Sequence, residues 1–106
     1  MTRDAIVNER FVAFADAVRR RILTYLSPAS NGPDEIDFDA LVARLVADDE
    51  SGLNSPSVAR LNLVHVHLPK LEQADLVERD GDTIRLTVAP DVVSDGLDLA
   101  NRFETV

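Results

Sequence analysis

Two histidines and a run of three arginines are the residues whose types and spacing could do chemistry. His65 and His67 stand two apart, about 200° around a helix, so they cannot hold one metal ion from the same helical face. The chain has no cysteine, which removes thiolate metal sites, disulfides and a catalytic thiol. No metal and no cofactor is expected. Nineteen acids in 106 residues produce carboxylate pairs by chance, so such pairs carry no signal for acid–base catalysis. With no nucleophile elbow and no glycine-rich phosphate loop, the sequence does not read as that of an enzyme.

The basic cluster, Arg19-Arg20-Arg21, fans across about 200° of helix surface and cannot lie along one phosphate backbone. A structural use would pair one member with an acid at the end of the third helix, such as Glu72 or Asp75. A functional use would be phosphate contact or an ion pair in a dimer interface. A second set of candidates lies on the third helix: Ser57, Arg60, Leu61, Asn62, His65 and Val66. There Arg60 could read guanine and Asn62 adenine through bidentate hydrogen bonds. Leu61, Leu63, Val64 and Val66 also make this helix apolar nearly all round, which suits burial or a protein partner as well. Glu78, Asp80 and Asp82 surround Arg79 at the tip of the following hairpin, and Arg85 lies on its second strand.

Local signals set out the elements that must position these groups. Phe11, Phe14, Ala15, Val18, Ile22 and Tyr25-Leu26 recur at three- and four-residue steps, predicting one helix over about residues 8–26, unbroken before the arginines. Ser27-Pro28 ends it, and residues 28–34 read as a loop. Ile36 is a candidate short strand. Asp37 caps a second helix with Phe38, Leu41, Val42, Leu45 and Val46 on one face. The acids that end this helix, Asp48-Asp49-Glu50, oppose its dipole and should be solvated. Ser55-Pro56 opens the third helix, which should run to about Ala74 and bend near His65 because Pro69 lacks an N–H. Asp80-Gly81 between two apolar-bearing runs predicts a hairpin with a type I′ turn. A last helix spans about residues 91–104, with Val92, Val93, Leu99, Ala100 and Phe103 on a loose stripe weakened by Gly96.

One domain over residues 1–106 is expected, with its core within about residues 8–88. The core should include Phe14, Val18, Ile22, Leu26, Leu41, Leu45, Leu68, Leu71, Leu76, Val77, Ile84 and Leu86. No apolar run approaches membrane-spanning length, and the first residues lack the apolar core of a signal peptide, so the chain should be cytoplasmic and off the membrane. The net charge is −8, from thirteen Asp and six Glu against ten Arg and the single Lys70. Many Asp beside few Lys suits the surface of a protein working in concentrated salt, the alternative being an acidic protein of ordinary salt. The charge is uneven, with residues 27–54 carrying seven acids against one Arg and residues 1–26 five Arg against three acids.

The segment His67-Leu68-x-x-Leu71-x-x-Ala74-Asp75-Leu76-Val77 resembles the "HL..L..AGLV" stretch of arsenical-repressor-like winged-helix regulators. Joined with His65-Val66-His67-Leu68-Pro69-Lys70-Leu71 and the upstream Arg19-Arg20-Arg21-Ile22-Leu23, it is similar to a domain family of unknown function in halophilic archaea. The resemblance covers about residues 11–88. It implies a mainly α winged helix-turn-helix with a small β-hairpin wing, three core helices and a C-terminal helix. His67 would face inward and His65 the groove. It also implies a homodimeric DNA-binding transcriptional regulator, with base contacts from the third helix, wing contacts from Arg79 and Arg85, and phosphate contacts from Arg19, Arg20 and Arg21. The alternative keeps the fold but docks a protein partner through the apolar third helix or the C-terminal helix. Asp75 stands where the pattern has glycine, at a left-handed helix exit that Asp tolerates better than most residues.

Overall fold

The computed structural model describes residues 3–104, with side chains for residues 7–102. It is mainly helical with a small sheet. In chain order the elements are α1 (Arg3–Phe14), α2 (Ala17–Leu26), β1 (Glu35–Asp37), α3 (Phe38–Ala47) and α4 (Pro56–Asn62). A π-turn (Leu63–His67), α5 (Leu68–Gln73), β2 (Val77–Asp80), β3 (Thr83–Leu86) and α6 (Pro90–Glu104) follow.

The expected single first helix is two. The chain breaks at Ala15-Asp16, and the extended Asp16 caps α2 by accepting from the Val18 and Arg19 N–H groups at 2.8 and 3.2 Å. Those N–H groups would otherwise be orphaned at a helix start, so the carboxylate stabilises the break. Asp37 caps α3 in the same way through the Asp39 N–H. The third helix starts at Ser55-Pro56 as expected, although the Ser55 side chain makes no capping bond.

Pro69 is accommodated by the π-turn, across which the Leu68 N–H reaches back five residues to the Leu63 carbonyl. This shift places the proline in the first turn of α5, where no N–H is required. The helix then ends as the sequence implied. Asp75 adopts φ +54°, the Leu76 N–H donates to Leu71 O and the Asp75 N–H to Glu72 O. This Schellman pattern satisfies the last carbonyls and sends Leu76 back to the core.

The sheet order is β1-β3-β2, all antiparallel, with Ile36 opposite Ile84 and Val77 opposite Leu86. The hairpin turn lies one residue later than expected. Asp80 pairs with Thr83, so Gly81-Asp82 is the two-residue loop. Only Gly81 has positive φ (+59°), which fits a type II′ turn and not the I′ turn expected of Asp80-Gly81.

The core draws on every layer. Ile22, Leu26, Leu41, Leu45, Leu68, Leu71, Leu76, Val77, Ile84 and Leu86 are buried as expected, joined by Ala13, Leu23, Tyr25, Leu63 and Val93, while Phe14 and Val18 are half-buried at its edge. Gly96 has a packing reason: a methyl there would sit 2.2 Å from the Phe14 ring. The Phe103 side chain of the expected α6 stripe lies outside the described residues.

Candidate nucleic-acid interface

The face with binding character is the outer side of α4, the π-turn and α5. Ala59, Leu63, His67, Leu68 and Leu71 turn inward and are buried. Ser57, Arg60, Leu61, His65 and Lys70 turn outward and are exposed. Val58, Leu61, Val64 and Val66 on this face are 41–60% exposed. Asn62 is half-buried, and its amide N–H bonds back to the Val58 carbonyl at 3.0 Å, which occupies one of the donors proposed for adenine.

Arg60 is held from two sides. Its Nη1 lies 2.7 Å from Asp39 Oδ1, and its guanidinium carbon is 5.7 Å from the centre of the Phe38 ring. Arg79 approaches the same ring to 4.9 Å and donates to Gly81 O within its own hairpin. The Phe38 N–H also donates to Asp82 O in the turn, at 2.6 Å. Phe38 therefore ties the start of α3, the outer helix and the hairpin tip together. From sequence it was visible only as a core position, because its two cations come from distant segments. The Arg60–Asp39 pair is half-exposed on one side and more so on the other, and such pairs contribute about 0.2–1 kcal/mol. So weak a pair leaves the Arg60 guanidinium able to change partners. Arg85 is held more firmly, with Glu78 at 2.8 Å, Glu35 at 3.5 Å and Asp80 at 3.7 Å.

The arginine cluster is built into the fold, with partners other than the expected Glu72 or Asp75. Arg19 is buried and donates to the Ala13 and Val12 carbonyls at 3.1 and 2.9 Å, capping the end of α1. Its Nη1 lies 3.3 Å from His67 Nδ1. Arginine can only donate, so the His67 Nδ1 is placed to accept from it, and Asp16 Oδ1 lies 3.8 Å from the same nitrogen. Burial holds the His67 pKa below its ordinary value; Asp16 opposes that shift and Arg19 adds to it. Arg20 donates to Phe14 O at 2.8 Å. Arg21 grips Asp48 with two bonds, 2.8 and 3.1 Å, and lies 3.1 Å from Glu50.

Asp48, expected to be solvated, is instead a junction between α2 and α3. It accepts from Arg21, from the Tyr25 hydroxyl and from the Glu50 N–H. These bonds, Arg21 first, hold its carboxyl well below the usual range. Burial, aided by the bond to Asp48, pushes the Tyr25 hydroxyl up to about 12.

One signal in the sequence went unread. Residues 51–71 contain no Asp or Glu, in a chain with nineteen. The other long acid-free run, residues 17–33, covers α2, much of which is buried. The outer helix is different, because α4 and the π-turn are acid-free where they meet solvent, the first exposed acid being Glu72 in the last turn of α5. By contrast α3 exposes Asp39, the hairpin Glu78, Asp80 and Asp82, and α6 Asp91, Asp95 and Asp98.

A second feature lies between α1 and α6. Val7, Phe11, Phe14, Val92, Leu99 and Ala100 line an apolar groove of about 450 Å³, with Phe11 57% exposed. Among the described residues no three His, Cys, Asp or Glu side chains are placed to hold a metal ion, and no helix is long and apolar enough to cross a membrane.

The chain is a mainly helical domain with a three-stranded antiparallel sheet, and its exposed α4 and π-turn carry no acid. The chain belongs to the DUF7344 family, a domain of unknown function, whose model matches residues 11–87. Neither a curated protein nor a solved structure matches the chain.

Proposed function

We propose that this chain is a winged-helix, DNA-binding transcriptional regulator, akin to the arsenical-repressor-like regulators and working in a salt-rich archaeal cytoplasm. In this reading the helix–strand–helix–helix–hairpin order supplies the winged helix-turn-helix, with α3 and α4–α5 as its paired helices and β2–β3 as its wing. The observation that carries it is the outer face of α4 and the π-turn, where Ser57, Arg60 and His65 are exposed and the chain carries no carboxylate from residue 51 to 71; Lys70 follows in α5, and the exposed Glu72 ends the stretch. An acidic protein that approaches a polyanion needs one such face, because like charges brought together cost several kcal/mol. Arg79 gives the wing its contact. Arg85, caged by three acids, and Arg19, buried, are assigned to the fold, while Arg20 and Arg21 make their contacts within the domain.

We also propose a homodimer, with a second copy covering the α1–α6 groove. Phe11 projects from the groove's edge, so a two-fold arrangement can place each Phe11 against the other copy's groove. Two copies would present two outer helices to the half-sites of one operator. The rival reading, a protein partner on the third helix, draws on the exposed Val58, Leu61, Val64 and Val66. Genome-wide recovery of DNA bound to the protein in cells at native salt separates the two. Discrete enriched sites support regulation of transcription. A profile no different from a mock recovery leaves the protein-partner reading.

A further inference from the structure

The same face narrows the kind of DNA it would take. Along α4 and the π-turn its outward polar groups are few: the Ser57 hydroxyl, the Arg60 guanidinium at one edge and the His65 ring, with Lys70 and Glu72 further on in α5. The Asn62 amide is half-buried and bonded to its own helix. Between and beside them stand Val58, Leu61, Val64 and Val66, with Leu61 the most exposed large apolar side chain at 60%. Ser57 and Leu61 lie four residues apart, as do Arg60 and Val64, so the apolar groups sit among the polar ones on adjoining rows of one surface.

In the major groove the base edges of guanine, cytosine and adenine offer only hydrogen-bonding groups, whereas thymine adds a C5-methyl. A helix that puts Leu61 and its valine neighbours against polar base edges removes water from those edges and returns no bond. Against thymine methyls the same side chains bury apolar surface on both partners. The charge balance points the same way. With a net charge of −8 and acids on the hairpin, phosphate contacts are few, and concentrated salt weakens those that remain. Apolar contact with methyl groups is not screened by salt.

Resting on the DNA-binding reading above, we infer that the outer helix selects B-form DNA rich in thymine steps by contacting their C5-methyl groups, with a guanine at the edge reached by Arg60. RNA is not a substrate of this kind. Uracil lacks the methyl, and the deep, narrow major groove of A-form duplexes does not admit side chains.

The test starts from duplexes selected out of a random pool by the full chain in molar KCl. The best duplex is resynthesised with deoxyuridine replacing thymine one position at a time, which removes a methyl and leaves base pairing intact. Binding is read by fluorescence anisotropy. At each contacted step the loss of a methyl should weaken binding about fourfold, as expected for burying one carbon. Leu61→Asn, at an exposed position that leaves the core untouched, should erase the thymine–deoxyuridine difference at the step Leu61 contacts and keep it at the steps the valines contact. A selected duplex that binds equally well with thymine or deoxyuridine throughout overturns the methyl inference and leaves DNA binding standing. If no duplex is enriched, DNA binding falls and the inference falls with it.

Discussion

Replacing Asp48 with Asn removes the charge that joins α2 to α3 and leaves the volume unchanged. Asp48 is 14% exposed and Arg21 36%, which places the pair between two regimes. A fully buried pair broken on one side costs about 3–5 kcal/mol, whereas an exposed pair contributes at most about 1 kcal/mol. Asparagine keeps one oxygen for the Tyr25 hydroxyl or for Arg21, and Arg21 keeps Glu50 at 3.1 Å. The expected loss is therefore about 2–3 kcal/mol, or a melting midpoint lowered by roughly 10–20 °C for a domain of about this size. The acid limb gives an independent check. Arg21 and Tyr25 depress the Asp48 pKa in the folded chain, so the unfolded chain protonates first as pH falls. The stability that Asp48 contributes is complete above the ordinary carboxylate value of about 4 and is lost as pH falls toward the depressed folded value. Thermal melts by circular dichroism from about pH 7 to pH 2 should show the wild-type and Asp48→Asn midpoints far apart near neutrality and converging below about pH 4. A gap of only a few degrees at neutral pH, or one that does not close in acid, would refute the junction.

Burial lowers the His67 pKa in the fold, so below the ordinary value of about 6.5 the unfolded chain takes up a proton that the folded chain resists. Stability should fall as pH drops from about 6.5 toward the depressed value. His67→Asn, which keeps an acceptor for Arg19, should flatten that limb of the melting curve. Nineteen carboxylates repel over about 30 Å at 0.01 M salt and about 3 Å at 1 M, so the midpoint should climb with KCl, and a flat response would remove the salt-rich setting. Light scattering should give a dimer mass for the wild type and a monomer mass for Phe11→Asp, with the circular dichroism spectrum retained because Phe11 is exposed in the single chain. A wild-type monomer at micromolar to millimolar concentration removes the groove as a self-interface.

Much of the fold was legible because its signals are local. Asp37 before an apolar face, Pro56 after Ser55, and Asp75 at a left-handed exit each act through their own neighbours, and each stands where the sequence placed it. The break at Asp16 was missed because the apolar period runs through it without proline or glycine, although Asp16 ahead of Ala17-Val18 is itself a capping signal. The hairpin register slipped by one because Asp80-Gly81 and Gly81-Asp82 are both acceptable two-residue turns, and strand pairing decides between them. The arginine cluster could not be resolved at all. Its partners, Ala13 O, His67, Phe14 O and Asp48, are set by packing of three helices. For the candidate face, Ser57, Arg60, Leu61 and His65 do come together, but the Asp39 and Phe38 contacts on Arg60 are tertiary.

By the proposal above, the outer surface of α4 and the π-turn binds specific DNA in concentrated salt. Fluorescence anisotropy with duplexes selected from the genome, compared with random duplexes across about 0.2–3 M KCl, tests it most directly. The predicted result is a preferred duplex with a shallow salt slope, reflecting few phosphate contacts at about −0.9 each. Arg60→Ala should cost about 1–3 kcal/mol at one base pair and melt as the wild type does. A chain that binds no fragment better than random DNA anywhere in that range contradicts the account.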